Sequence, residues 1–318
     1  MITLSKIAKL ANVSVSTASK AFSGSNEVNK ETREMVFNIA KKYGCFKKFY
    51  NVKYPKLVIA IIAPEFNSIY YTRYMSFIRK GLEKENCELC VSTTNFSIEN
   101  ERALIEYYYK HADVDGVIII GSRTDITEHC EIPVVLVNPE ISPLHCISVL
   151  CDIKPAICES VDYLIEKRVD SIGFIGERLT DKKLELFNQI LKEKEITPYV
   201  SISDERFEAG GYSAMESFFL RKQVPRAIVC GYDYMAIGAI RCIYDHGLSV
   251  PQDIAVMGMD DIPEAKFLNP PLSSISIPTE KLCRIAAEAV IKKINGETTK
   301  HRQIVTSEFN LRRSFEII

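Results

Sequence analysis

From Leu57 onward the sequence runs twice through one alternation, a short apolar run followed by a stretch of helical period, and this repetition limits the fold more than any other feature. The first series has apolar runs at LVIAIIA (57–63), 88–93, GVIII (116–120), 133–137 and 146–150, with helices around 70–85, 99–111 and 155–167. The second has SIGFIG (171–176), 199–202, RAIVC (226–230), DIAVMG (253–258) and LSSIS (272–276), with helices around 181–194, 208–221 and 233–245. A last helix over 279–293 and short terminal strands complete the chain. Runs this short and uniformly apolar suit strands buried on both faces, and in β-α-β order they make parallel sheets covered by helices. The sequence therefore predicts an α/β body of two doubly wound parallel-sheet lobes.

The preceding segment has a different texture. Thr3 is placed to cap a helix over 4–11, and Ser14 to cap a second over 15–22, with the three residues Asn12-Val13-Ser14 between them. The loop SGSN (23–26) leads to a third helix over 29–43, stopped by Gly44. Three short helices with such a turn between the first two predict an all-α helix-turn-helix headpiece. Charge singles out the same region. The chain's net charge of −1 conceals eleven basic and three acidic residues in 1–56, a net +8, against 29 and 38 in the remainder, a net −9. A basic module on a neutral-to-acidic body points to a polyanionic partner.

In a helix-turn-helix the second helix enters the major groove and its first turns reach base edges. Those positions are Val15, Ser16 and Lys20: lysine donates to guanine, serine donates or accepts, and valine packs on a thymine methyl. Thr3, Ser14, Thr17, Ser19 and Thr32 offer hydroxyls to phosphates, some of them doubling as helix caps. The basic, aromatic stretch KKFYNVKYPK (47–56) reads as a linker.

These segments resemble the lactose-repressor (LacI/GalR) family of transcription regulators over nearly the whole chain. The headpiece carries its T-L-x-x-I-A, V-S-x-x-T and V-x-x-x-T-R elements; SVPQDIAVMGMDD (249–261), NPPLSSIS (269–276) and DYMAIGAIRCIYDHGL (233–248) are similar to its body signatures. The resemblance implies a dimer whose effector domain is shaped like a periplasmic sugar-binding protein. It also implies a hinge helix, yet the A-R-x-L pattern of that helix has no counterpart in residues 47–56. Lys47, Lys48 and Lys53 remain candidates for phosphate contact, and Phe49 or Tyr50 for a groove wedge. Lys183 stands where the family commonly has a pocket arginine, and Tyr232-Asp233 where it often has Asn-Asp, so the effector is expected to be a sugar or related metabolite of less typical chemistry.

Ligands of open parallel sheets gather at the carboxyl ends of the strands. That rule selects Asn67, Ser68, Tyr71 and Arg123 in the first lobe, with Glu65, Phe66, Asn95, Ser122 and Asn138 nearby, and Lys183, Tyr232 and Asp260 in the second. Asp233 and Asp261 read as structural. The expected boundaries are 1–46 for the headpiece, 47–56 for the linker and 57–318 for the effector-binding and dimerisation body, with lobe 1 over about 57–168 and 279–302 and lobe 2 over about 169–278 and 303–318. No nucleotide-binding, zinc-protease or serine-hydrolase motif occurs, and the five histidines lack metal-ligand spacing, so neither an enzyme nor a cofactor or metal site is expected. Without a signal-like start or a membrane-length apolar run, the chain is expected in the cytoplasm, and Cys87 and Cys90 are read as core thiols. A soluble sugar-binding protein without a DNA role is the alternative, but it has no use for a basic headpiece. Lacking leucine heptads after LRRSFEII, the chain is expected to form a homodimer on double-stranded operator DNA.

Overall fold

A computed structural model of the chain describes every residue except 1, 51–56, 86, 111–113, 126–131, 144–145 and 318, and of Lys47 only the backbone. Helices α1 (Leu4–Leu10), α2 (Val15–Phe22) and α3 (Lys30–Lys42) open it, followed by one helical turn, α4 (Phe46–Phe49). Each of the first three starts on a polar cap. Thr3 Oγ1 accepts from the Lys6 amide at 3.3 Å, Ser14 Oγ from Thr17 at 2.9 Å and Asn29 Oδ1 from Thr32 at 2.8 Å, satisfying donors that a helix start leaves unpaired. The turn between α1 and α2 passes through Asn12 at φ +52°, a left-handed conformation that asparagine tolerates.

Ile7, Ala8, Ala18, Ala21, Phe22, Val36 and Ala40 form the headpiece core, the alanines allowing close helix approach. Phe22, Phe37 and Phe46 pack ring against ring, with centroids 5.0 to 6.2 Å apart. Phe49 and Tyr50, expected in a linker, join them: Phe49 lies 5.7 Å from Phe22, and Tyr50 stacks on Phe46 at 4.8 Å. The rings thus extend the headpiece core in place of standing ready as groove wedges. The rest of the linker, with Lys53 and Pro55, lies outside the described residues.

The next elements are β1 (Leu57–Ala63), α5 (Ile69–Leu82), β2 (Cys87–Thr93), α6 (Ile98–Lys110), β3 (Gly116–Ile120), β4 (Val134–Val137) and β5 (Ile147–Asp152). The second series is α7 (Lys154–Glu166), β6 (Ile172–Glu177), α8 (Asp181–Glu193), β7 (Tyr199–Ser203), α9 (Phe207–Leu220), β8 (Ala227–Cys230), α10 (Asp233–Asp245), β9 (Ala255–Asp260) and β10 (Ser273–Ser276). Then come α11 (Thr279–Ile294), β11 (Arg302–Thr306) and β12 (Glu308–Asn310). Strand order is β11-β5-β4-β3-β1-β2 in one sheet and β12-β10-β9-β8-β6-β7 in the other. From β1 through β5 and from β6 through β10 every described pairing is parallel, and β12 closes the second sheet antiparallel to β10. Both sheets reverse direction of strand order beside their first strand, the point at which doubly wound folds gather ligand-binding loops.

The chain divides into one unit of 1–150 and 279–305, which includes the headpiece, and another of 151–278 and 306–318. Within the first, Lys41 of α3 pairs with Asp115 ahead of β3. Residues 151–168, placed in lobe 1 by sequence, belong with the second unit instead. The reason is packing: Ile157, Val161 and Leu164 of α7 share a core with Ile172, Phe174 and Phe187. A second correction concerns the C-x-x-C pair. β2 is an edge strand, so Cys87 is half-buried and Cys90 exposed, and neither is a core thiol.

Candidate functional site

The headpiece presents α2 with two unlike faces. Ala18, Ala21 and Phe22 are buried against the other helices, whereas Val15, Ser16 and Ser19 are exposed. Val15 keeps 47% of its surface open, between the exposed Ser14 and Ser16. Thr17 and Lys20 are half-buried at the rim. Ser14 Oγ also lies 2.8 Å from Thr17 Oγ1, so the two hydroxyls form one polar point at the N-terminus of α2. Thr3 is exposed at the start of α1 and Thr32 half-buried in the first turn of α3. Lys20 pairs with Glu27 of the following loop, a partner that sequence spacing did not suggest. Arg33 holds that loop in place, donating to the carbonyls of Ser25 at 2.8 Å and Val28 at 3.2 Å.

In the second unit, the first turn of α8, the start of α10 and the end of β9 bring together Lys183, Tyr232 and Asp260. Lys183 Nζ donates to the Gly231 carbonyl at 2.7 Å and lies 3.4 Å from Asp260 Oδ1. Asp260 is held at φ +103°, a strained conformation for a residue with a side chain, on the last position of a buried strand. Tyr232 accepts at its hydroxyl from the Phe207 amide at 2.9 Å, and burial pushes its phenol up to about 12. Sequence reasoning missed Glu177, Arg206 and Phe207. Arg206 lies 3.9 Å from the buried Glu177 carboxylate and 4.6 Å over the Phe207 ring, which in turn meets Tyr232 edge-on at 6.2 Å. The available signal was that Glu177 ends strand β6 and Arg206-Phe207 follow strand β7, positions the strand-end rule covers.

Asp233, by contrast, is structural, though it ties α10 to the strands after it and Tyr232 takes the cap position. Its carboxylate is buried, accepting from Ser274 Oγ at 2.6 Å and from the Ile262 amide at 2.7 Å. Asp261 is likewise occupied, 2.7 Å from Arg312 and 3.0 Å from Asn310 Nδ2.

In the first unit, Ser68 caps α5, its Oγ accepting from the Tyr70 amide at 3.1 Å, and Asn67 beside it is exposed. Tyr71 is half-buried, edge-on to Phe96 at 6.0 Å. Arg123 bonds to the Phe96 carbonyl at 3.4 Å and to Glu140 at 3.1 Å, so its charge is already answered. The loop carrying Arg123 is fixed by buried Glu101, which accepts from Ser122 Oγ at 2.5 Å and from the amides of Arg123 and Thr124 at 3.1 and 3.3 Å. Asn138 donates to the Tyr74 hydroxyl at 2.9 Å. Tyr71, Phe96 and Arg123 thus form one group, and Tyr70, edge-on to Tyr71 at 5.0 Å, joins it to Tyr74 and Asn138.

Comparison with known sequences matches residues 3–45 to the description "Bacterial regulatory proteins, lacI family" and residues 161–315 to "Periplasmic binding protein-like domain". The transcriptional regulator GalR of Streptococcus thermophilus is 30% identical over 322 residues, covering 92% of this chain and 93% of that one. The chain belongs to the lacI family. Another relative, the ribose operon repressor of Haemophilus influenzae, is 26% identical and covers 96% of both chains. Among solved structures, the transcriptional regulator CelR in complex with cellobiose aligns with a TM-score of 0.69 at 25% identity, over 99% of this chain and 100% of that one.

For a lacI-family chain the division of labour is then plain: this is a helix-turn-helix transcription regulator with a periplasmic-binding-protein-like body. Family members are regulators and not enzymes. Among the described residues no helix is long and apolar enough to cross a membrane.

Proposed function

We propose that the chain is a repressor that binds operator DNA as a homodimer in the cytoplasm and is switched by a sugar or related small metabolite. The headpiece, whose core extends through Phe49 and Tyr50, reads the duplex, and 57–318 bind effector and pair the chains. The observation that carries this reading is the exposed face of α2, with an open valine and a row of hydroxyls on a segment of net charge +8. An apolar side chain flanked by hydroxyls at the start of the second helix matches a thymine methyl beside polar base edges and phosphates. Val15, Ser16 and Lys20 contact base edges, and Thr3, Ser14, Thr17, Ser19 and Thr32 contact phosphates, the helix starts adding their favourable field for anions.

The effector-contacting residues we assign are Lys183, Tyr232 and Asp260 within the second unit and, taken separately, Asn67, Ser68, Tyr71 and Arg123 within the first. Because Lys183 answers Asp260 and Arg123 answers Glu140, these groups offer hydrogen bonds more than net charge. That suits a polyhydroxylated ligand, and relatives that carry the names of ribose and cellobiose support the class. Selection of bound duplexes from a random pool by the full chain, with and without a panel of sugars, tests the reading. One enriched, pseudo-palindromic sequence whose retention changes with one class of sugar is expected; a pool that stays random with every compound would overturn it.

A further inference from the structure

We infer that α9 and α10 carry a surface site for a divalent transition-metal cation of zinc type, with Glu216, Cys242 and His246 as its ligands. Cys242 and His246 are four residues apart on and just after α10, so they share one face of the helix, and Glu216 reaches them from α9. His246 Nε2 lies 2.6 Å and Cys242 Sγ 3.4 Å from Glu216 Oε2, and the three ligand atoms all fall within 4.8 Å of one another. In a tetrahedral zinc site with Zn–S near 2.3 Å and Zn–N and Zn–O near 2.0–2.2 Å, ligand atoms stand about 3.3–3.7 Å apart. Small side-chain rotations of two rim residues reach that spacing.

Two features of the surroundings favour a bound cation. The imidazole is stacked on Phe219, with centroids 3.9 Å apart and planes within 13°, which fixes the direction of its ring nitrogen. His246 is also the cap residue at the C-terminus of α10, where the helix field favours positive charge. The mixed thiolate, imidazole and carboxylate set suits Zn²⁺ and its neighbours rather than Mg²⁺ or Ca²⁺, which take oxygen. His246 and Glu216 side chains are 36% and 34% exposed while Cys242 is buried beneath them, so an ion enters from solvent and meets the sulfur at the base.

The fold makes the meeting possible. Gly211 and Gly238 bring the two helices backbone to backbone, a Cβ at Gly238 falling 1.9 Å from the Glu208 carbonyl. Binding takes the thiol proton of Cys242, now directed at Glu216, into solvent and leaves a thiolate on the metal. The site sits at the far end of α10 from Tyr232, about 20 Å along a 13-residue helix. It therefore acts on the α9 and α10 pair and not as part of the effector set.

The test is titration of the untagged, chelator-treated full chain with Co²⁺, read by the near-ultraviolet thiolate-to-cobalt band, followed by displacement with Zn²⁺. Loss of outer-shell partners alone costs about 10–100-fold in metal affinity. Cys242→Ser and His246→Gln should accordingly each weaken binding at least tenfold, whereas a Cys87→Ser, Cys90→Ser double variant should leave it unchanged. Duplex-DNA binding and the circular-dichroism melt report whether each variant folds; His246, at the rim, keeps the test open if Cys242→Ser does not. Absence of the band, or a band that persists in His246→Gln and vanishes in the Cys87→Ser, Cys90→Ser variant, would overturn the assignment.

Discussion

Lys183 and Asp260, 77 residues apart in sequence, face each other at 3.4 Å, and the ammonium is further anchored to the Gly231 carbonyl at 2.7 Å. The pair fixes the direction of the carboxylate at the end of a buried strand, at a backbone position of positive φ. Asp260→Asn removes charge-assisted hydrogen bonds worth about 1.5–3 kcal/mol. It should lower affinity for the effector found by selection at least tenfold, measured calorimetrically, and leave duplex affinity without effector intact. Undiminished effector affinity would make Asp260 only a partner for Lys183.

Lys20 sits in a pair with Glu27, which a base contact must break. Lys20→Ala should reduce preference for the selected duplex over a scrambled one by about 1–3 kcal/mol. Glu27→Gln, which frees the ammonium, should raise affinity for both duplexes a few-fold, in keeping with the roughly 0–1 kcal/mol of an exposed pair. Fluorescence anisotropy separates the cases: equal losses on both duplexes in Lys20→Ala would make that residue a backbone contact.

Much of this arrangement was legible in the sequence because periodicity and burial are local properties. The helix 15–22 and the strands 57–63 and 116–120 fall where their apolar spacing put them, since nothing in the tertiary structure competes with that spacing. Errors arose where neighbours decide. Residues 151–168 read as the end of the first series, but the apolar face of α7 packs on the second sheet. CELCVST looks like a core strand until its position at a sheet edge exposes Cys90. The same holds at the sites. Strand-end positions such as Asp260 follow from topology, whereas Arg206 over Phe207, Lys20 with Glu27 and His246 with Glu216 are meetings between elements that spacing along the chain does not encode.

Asp233 has its carboxyl buried, and burial first, then the Asp260 charge, raises it well above the ordinary carboxylate range. The folded state thus holds this proton more tightly than the unfolded chain, whose value is about 3.9. With fewer protons on the unfolded state, stability from this group is present below that value and is lost as pH rises toward the folded one. Asp233→Asn keeps acceptor and donor atoms in place without the charge. Denaturant titrations should show the variant gaining on the parent chain as pH increases; a pH-independent difference would contradict the burial argument.

Gly238→Ala puts a methyl 1.9 Å from a backbone oxygen of α9. Backbone cannot yield as a side-chain tip does, so the helices must part, at a cost of about 1–3 kcal/mol or more. The denaturation midpoint should fall accordingly. A midpoint equal to that of the parent chain would mean that the two helices are less closely joined than described.

The account rests on a headpiece that recognises duplex sequence under control of a ligand bound by the body. Anisotropy titrations of the full chain with its selected duplex and a scrambled one, over a range of salt and with and without the selected sugar, test this most directly. The selected duplex should bind at least about 10³-fold more tightly at physiological salt, with affinity falling steeply as salt rises. The sugar should shift that affinity, and the duplex should shift affinity for the sugar by the same factor. Equal binding of the two duplexes, unmoved by the sugar, would contradict the account.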